Sequence, residues 1–270
     1  VEGHPPGIVM VGIVGAQDAV TLIVIIPSAP IVGCQIQTTL EATGNGIGLF
    51  RTILRCAGND NEIKDSSFKI TNAVGGCGGA MYVAGSNNAI NNITTNTSIS
   101  IRNGPGLKGF GGALYIEGDN VSVADAKFET FSAADKGGAI YVAGDDFSIS
   151  GSRFNYGSAP EGTAIYVQGS NALITRSNFL SMGNSSGVAN DTSGGSIYVA
   201  GNDTKIIKNY FTHTNAAKGG AIYVSGENTE IADSKFIELN GIYGAAIYVE
   251  GNDTHVYNCL FNRNVAINDG

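Results

Sequence analysis

A six-residue string recurs through most of this chain. Gly-Gly-Ala-Ile-Tyr-Val, or a near copy, begins at Gly78, Gly111, Gly137, Gly162, Gly194, Gly219 and Gly244, at spacings of 33, 26, 25, 32, 25 and 25 residues. A degenerate copy begins at Arg51, so eight units of about 25 residues fill 51–270. A unit this short cannot bury its apolar face alone and must stack on its neighbours. The two long units carry insertions at the same point, Ile101–Lys108 and Gly183–Asn190. Insertions placed this way map to loops on one side of a solenoid.

Counting from the first residue of each unit, position four is Leu54, Met81, Leu114, then Ile from Ile140 to Ile247. Position six is Cys56, Val83, Ile116, then Val from Val142 to Val249. Position thirteen is always Ile or Val, and position eighteen is Phe in every unit except the one with Thr95. Apolar, β-branched residues two apart are a strand signal, not a helix signal. Leu, Glu and Lys are too scarce for a helical bundle, and the 39 glycines lack the three-residue period of collagen. Position eight is Gly and position ten Asn or Asp in every unit. Both types tolerate positive φ, as sharp corners between strands require. Stacked corner amides are expected to form a ladder along the axis. The expected fold is all-β: a right-handed parallel β-helix of about eight coils over 51–270, with an apolar cap or assembly segment over 1–50.

The Gly-Gly-Ala-Ile/Leu string at Gly78, Gly111, Gly137 and Gly219, followed by Phe and then Asn, resembles the repeats of polymorphic outer-membrane proteins and archaeal adhesin-like surface proteins. The Phe-x-x-Asn half is strict at Phe261–Asn264 and one residue longer at Phe211–Asn215 and Phe236–Asn240. The resemblance covers 51–270 and implies a secreted right-handed β-helix used in surface structure and attachment.

Residues 1–50 contain no Lys or Arg and include the apolar runs Gly7–Val14 and Val20–Ile26. Asp18, Pro27 and Pro30 interrupt these runs, so no membrane span is expected. Val1 and the lack of a basic start suggest an exported chain whose signal peptide has been removed. No polar capping segment follows the last unit, so a second copy is expected to cover it, giving a head-to-tail homopolymer. A net charge of −8 without a basic run argues against nucleic acid. Of the four cysteines, Cys34 and Cys56 lie about one coil apart. Cys77 and Cys259 could meet only between subunits, since each coil rises about 4.8 Å. All four are disulfide candidates in an exported protein, with buried thiols as the alternative. No metal-ligand spacing is present, and no cofactor is expected.

Asp145-Asp146 after Gly144 has the look of a polysaccharide-hydrolase motif, but both fall in the corner columns, and paired carboxylates flanking a bond are not otherwise indicated. A non-enzyme is expected. Position five is Tyr82, Tyr115, Tyr141, Tyr166, Tyr198, Tyr223 and Tyr248. Lying between inward positions, these rings form either a stacking ladder or an outward interaction stripe for glycans or a neighbouring filament. Asn-x-Ser/Thr sequons occur at Asn92, Asn96, Asn120, Asn184, Asn190, Asn202 and Asn252 and are candidates for N-glycosylation. The expected function is a secreted adhesin-like structural protein that self-associates into an extracellular filament. The alternatives are a monomeric cell-surface carbohydrate-binding module and, more distantly, a polysaccharide lyase or hydrolase.

Overall fold

A computed structural model describes residues 8–12, 21–25, 34–36, 40–42, 48–50, 54–71, 76–100, 109–183 and 191–269. It is a β-solenoid of stacked parallel coils, with no helix among the described residues. Each of the eight repeat units gives one strand to each of three parallel sheets. The front sheet runs from Leu54–Cys56 in coil one to Ile247–Val249 in coil eight. The side sheet runs from Glu62–Lys64 to His255–Tyr257, and the back sheet from Ser67–Thr71 to Leu260–Asn262. Register holds residue for residue, so that Met81 pairs with Leu114 and Leu114 with Ile140.

The columns at positions four, six, thirteen and eighteen are buried from coil one through coil seven. From Phe128 to Phe261 the position-eighteen rings stack face to face with centroids 4.7 to 5.0 Å apart. Thr95 breaks this column between Phe68 and Phe128. Its hydroxyl is buried without a hydrogen-bond partner, a local cost in an otherwise dry core.

Corners form where expected and also where nothing in the sequence marked them. Position ten takes positive φ, as in Asp60 (59°) and Asn171 (60°). So do position fifteen and position twenty, the latter held by Thr130, Tyr156, Ser181, His213, Glu238 and Arg263. The glycines of position eight need a different explanation from the one expected. Their φ is not positive; they are required because successive coils touch there. A Cβ on Gly169 would lie 1.9 Å from the carbonyl oxygen of Gly144, and one on Gly118 1.9 Å from that of Gly85.

The amide ladder of position ten is present at Asn87–Asp60 (3.1 Å) and Asn120–Asn87 (2.9 Å). Position nine adds a second ladder, in which one coil's side chain accepts from the next coil's backbone. Ser86 N–H donates to Asn59 Oδ1 (2.8 Å), Asp145 N–H to Asp119 Oδ1 (2.9 Å) and Ser170 N–H to Asp145 Oδ1 (2.7 Å). A third, buried ladder runs through position sixteen. Ser152 N–H donates to Ser177 Oγ (3.2 Å), Ser177 N–H to Asn209 Oδ1 (2.9 Å) and Asn209 N–H to Ser234 Oγ (3.1 Å).

Upstream of the coils the strands run the other way. Thr21–Ile25 adds antiparallel to Ser67–Thr71 and carries Ile8–Gly12 on its outer edge, while Cys34–Ile36 adds antiparallel to Leu54–Cys56. The chain thus lays its own N-terminal strands on the front and back edges of coil one. The insertions 101–108 and 184–190 lie outside the described residues.

In urea melts, Gly169→Ala is expected to destabilise by about 3 kcal/mol or more, because the intruding methyl meets backbone and not a yielding side chain. Thr95→Val, which replaces an unpaired buried hydroxyl by a methyl, should raise stability by about 1 kcal/mol.

Candidate functional site

Position five projects outward between the inward positions four and six, and the seven tyrosines stack into one continuous ladder. Neighbouring ring centroids are 4.5 to 5.7 Å apart from Tyr82 through Tyr115, Tyr141, Tyr166, Tyr198 and Tyr223 to Tyr248. Tyr141, Tyr166 and Tyr223 are only 5 to 6% exposed, and the other four are half-buried.

The ladder lies in a gutter with two walls. One is the column immediately preceding each Gly-Gly, where Phe110, Lys136, Glu161, Ser193 and Lys218 are linked by parallel bridges. Phe110 stacks on Tyr141 at 4.8 Å. Lys136 Nζ sits 4.4 Å over the Tyr166 ring, donates to the Tyr166 hydroxyl (3.0 Å) and pairs with Glu161 (2.8 Å). Lys218 Nζ lies 5.1 Å from the Tyr248 ring and pairs with Glu250 (2.7 Å). The other wall is position seven, where Glu117, Gln168 and Glu250 accept the hydroxyls of Tyr82 (2.5 Å), Tyr141 and Tyr223. The ring faces are spent on one another, so the stripe turns edges and hydroxyls outward, not flat faces. The column before Gly-Gly escaped the sequence reading because its residues share no type; only its place beside an invariant pair could have marked it.

This setting changes the phenols. Burial, then the neighbouring Tyr115 and Tyr166, pushes the Tyr141 pKa up to about 12. Tyr82 and Tyr223 are raised further, by burial and then by their hydrogen bonds to Glu117 and Glu250. The Glu250 carboxyl is lowered by its bonds to Lys218 and Tyr223.

A second distinctive surface is coil eight. The side chains that continue the core columns there are uncovered: Val249 is 40% exposed, Val256 42% and Phe261 49%. Leu260, Val265 and Ile267 are exposed beside them. The back sheet accordingly has one edge at Ile8–Gly12 and the other at Leu260–Asn262.

The remaining candidates are dispersed. Cys34 lies directly opposite Cys56 in the antiparallel pair, and Cys56 is wholly buried. Cys77 pairs with Phe110 in a short strand on the wall of the gutter. Cys259 takes the place of serine in the buried position-sixteen ladder, its thiol donating to Tyr257 O (3.3 Å) as Ser234 Oγ donates to Ala232 O (2.8 Å). Burial pushes both thiols, Cys77 and Cys259, above the ordinary value.

Among the sequons, Asn92 donates to Asp65 (2.7 Å), Asn120 to Asn87 (2.9 Å) and Asn252 to Glu227 (3.3 Å), while Asn202 Oδ1 accepts from Glu227 N–H (2.9 Å). Asn96 lies in the strand Thr94–Ser100, and Asn184 and Asn190 fall outside the described residues. Asp119 and Asp145 are engaged by the next coil's backbone, as given above, and the described residues hold no cluster of metal-ligating side chains. No helix among the described residues is long and apolar enough to cross a membrane. Compared with known proteins, the chain matches no family model, no curated protein and no solved structure.

The phenol shifts predict an alkaline transition. The folded chain keeps protons that an unfolded chain releases above pH ~10. This contribution to stability is therefore complete below pH ~10 and is lost as pH rises through about 12, the value for Tyr141. Ultraviolet titration of the phenols should show ladder tyrosines ionising above the ordinary range and together with unfolding.

Proposed function

We propose that this chain is a structural subunit of an extracellular, adhesin-like filament in which copies join head to tail. The observation that carries the reading is that, among the described residues, one sheet ends on Ile8–Gly12 at one side and on Leu260–Asn262 at the other. A second copy whose Ile8–Gly12 strand adds to the Leu260–Asn262 strand continues the back sheet and covers Phe261, Val256 and Val249. Strand addition supplies backbone hydrogen bonds, and the apolar sequence Ile8-Val9-Met10-Val11-Gly12 suits the exposed apolar coil. Such a contact is heterologous, and without closure it propagates as a filament. The Gly-Gly-Ala repeats, with their resemblance to surface-protein solenoids, support the same reading, and the wind is taken as right-handed because that is the usual hand of parallel crossovers.

In an oxidising compartment, the Cys34–Cys56 register favours a cross-strand disulfide. Opposed antiparallel residues have Cα atoms roughly 4.5 to 5.5 Å apart, within the range that a disulfide spans. That bond would fix the N-terminal segment to coil one. Peptide mapping without reductant should recover the two cysteines in one linked fragment, and separate thiols would remove the staple. The chain is read as non-catalytic because Asp119 and Asp145, the carboxylates nearest to a hydrolase pattern, serve as corner acceptors.

Negative-stain microscopy and light scattering test the assembly. Wild-type protein should form rods that lengthen with concentration, and Phe261→Asp, which places a charge on the uncovered end, should leave monomers with an unchanged circular dichroism spectrum. Monodisperse wild-type monomer at every concentration would overturn the proposal.

A further inference from the structure

The outward face of the side sheet changes character along the axis. At position twelve, coils two to four carry the small residues Ala89, Ser122 and Ser148, whereas coils five to eight carry Leu173, Lys205, Glu230 and His255. Over this second half a groove of about 480 Å³ opens between these side chains and the corner ladder of Asn171, Asp203 and Asn228, with Tyr257 in its lining. That size falls within the range of small-molecule sites, roughly 300 to 1,000 Å³. The groove lies on the flank of the solenoid, away from the tyrosine ladder, and does not depend on the filament reading.

Its charged groups are already engaged. Glu230 accepts from Tyr257 Oη and pairs with Lys205 Nζ (3.2 Å), while Asp203 accepts from Asn228 Nδ2. An anionic ligand would meet two carboxylates against one lysine, and a cationic ligand would have to displace Lys205 from Glu230. What is left over are amide and imidazole groups, with two uncovered apolar surfaces: Leu173, 38% exposed, and Tyr257, 51% exposed. Polar rims around an apolar patch suit a ligand with hydroxyls on its edge and C–H groups on its face. The corner column of Asn171, Asp203 and Asn228 recurs at every coil, about 4.8 Å apart, so a linear polymer laid along the axis meets a polar corner side chain at each step while the apolar contacts fall at the two ends of the groove.

We propose that this groove binds a linear, uncharged oligosaccharide lying parallel to the solenoid axis, with Leu173 and Tyr257 as its apolar contacts and Asn171, Asn228 and His255 as its hydrogen-bonding partners.

The test uses the whole chain in calorimetric titrations with neutral hexasaccharides (gluco-, manno- and xylo-series) and with hexagalacturonate as the anionic probe. At least one neutral hexasaccharide should bind, and Tyr257→Ala and Leu173→Ala should each weaken it about tenfold or more, equivalent to about 1.4 kcal/mol. Tyr156→Ala, at an exposed corner outside the groove lining, should leave the affinity unchanged. The proposal is overturned if no neutral hexasaccharide binds, if hexagalacturonate alone binds, or if Tyr257→Ala and Leu173→Ala bind as wild type does. Both groove variants replace exposed side chains, and a thermal melt matching wild type confirms that they are folded.

Discussion

Backbone hydrogen bonds run from each coil to the next in continuous register, as in the chain Ala113 N to Ala139 O, Ala139 N to Ala164 O, Ala164 N to Ser196 O and Ser196 N to Ala221 O. These bonds hold the coils about 4.8 Å apart, and that spacing governs every side chain on the solenoid. Whatever stands at a position in one coil stands on its counterpart in the next. Planar rings satisfy the condition well: the phenylalanines inside and the tyrosines outside both stack at nearly the coil spacing. Where two backbones touch, at position eight, no side chain fits at all, and glycine is the only solution.

Charge is the hardest property to stack. In several columns opposite charges stand on neighbouring coils instead, as in Lys136–Glu161, Lys205–Glu230 and Glu238–Arg263. Each exposed pair contributes little to stability, because water and salt screen it. Their larger effect is to avoid the repulsion that like charges would repeat along the axis. The rule has exceptions, since Lys127 pairs in register with Arg153, and Arg176 and Lys208 share the position-fifteen column. The low charge content of the chain, 14%, is what a fold with this constraint requires.

The periodic columns made the coils and the inward residues legible in the sequence, because strand alternation and stacking leave the same mark in every unit; the division of each coil among three sheets came only with the structure. Position eight was legible as glycine but not in its cause: a turn and a close approach call for the same residue. The corners at position twenty carried no signal, since Tyr156, Glu238 and Arg263 are not turn formers and take positive φ because the coils above and below impose it. The gutter walls were hidden for a related reason. A backbone column that pairs through its main chain leaves its side chains unconstrained, so Phe110, Lys136 and Ser193 share nothing but their place. Cys259 was legible as a lone cysteine, but its role as a serine substitute needed the neighbouring coil.

The same constraint says where function can reside. Inward columns are committed to the core, corner columns to the ladders, and the tyrosines to one another. Variation is free at outward strand positions. On the side sheet that freedom is used unevenly, with small residues over coils two to four and large, mixed chemistry from Leu173 to His255. On the back sheet Leu260 stands in an outward column, whereas Phe261 continues a column that is buried in coils one to seven. Departures from like-on-like stacking therefore mark the places where the neighbouring coil does not decide the side chain, and the outward face of the side sheet from Leu173 to His255 is such a place.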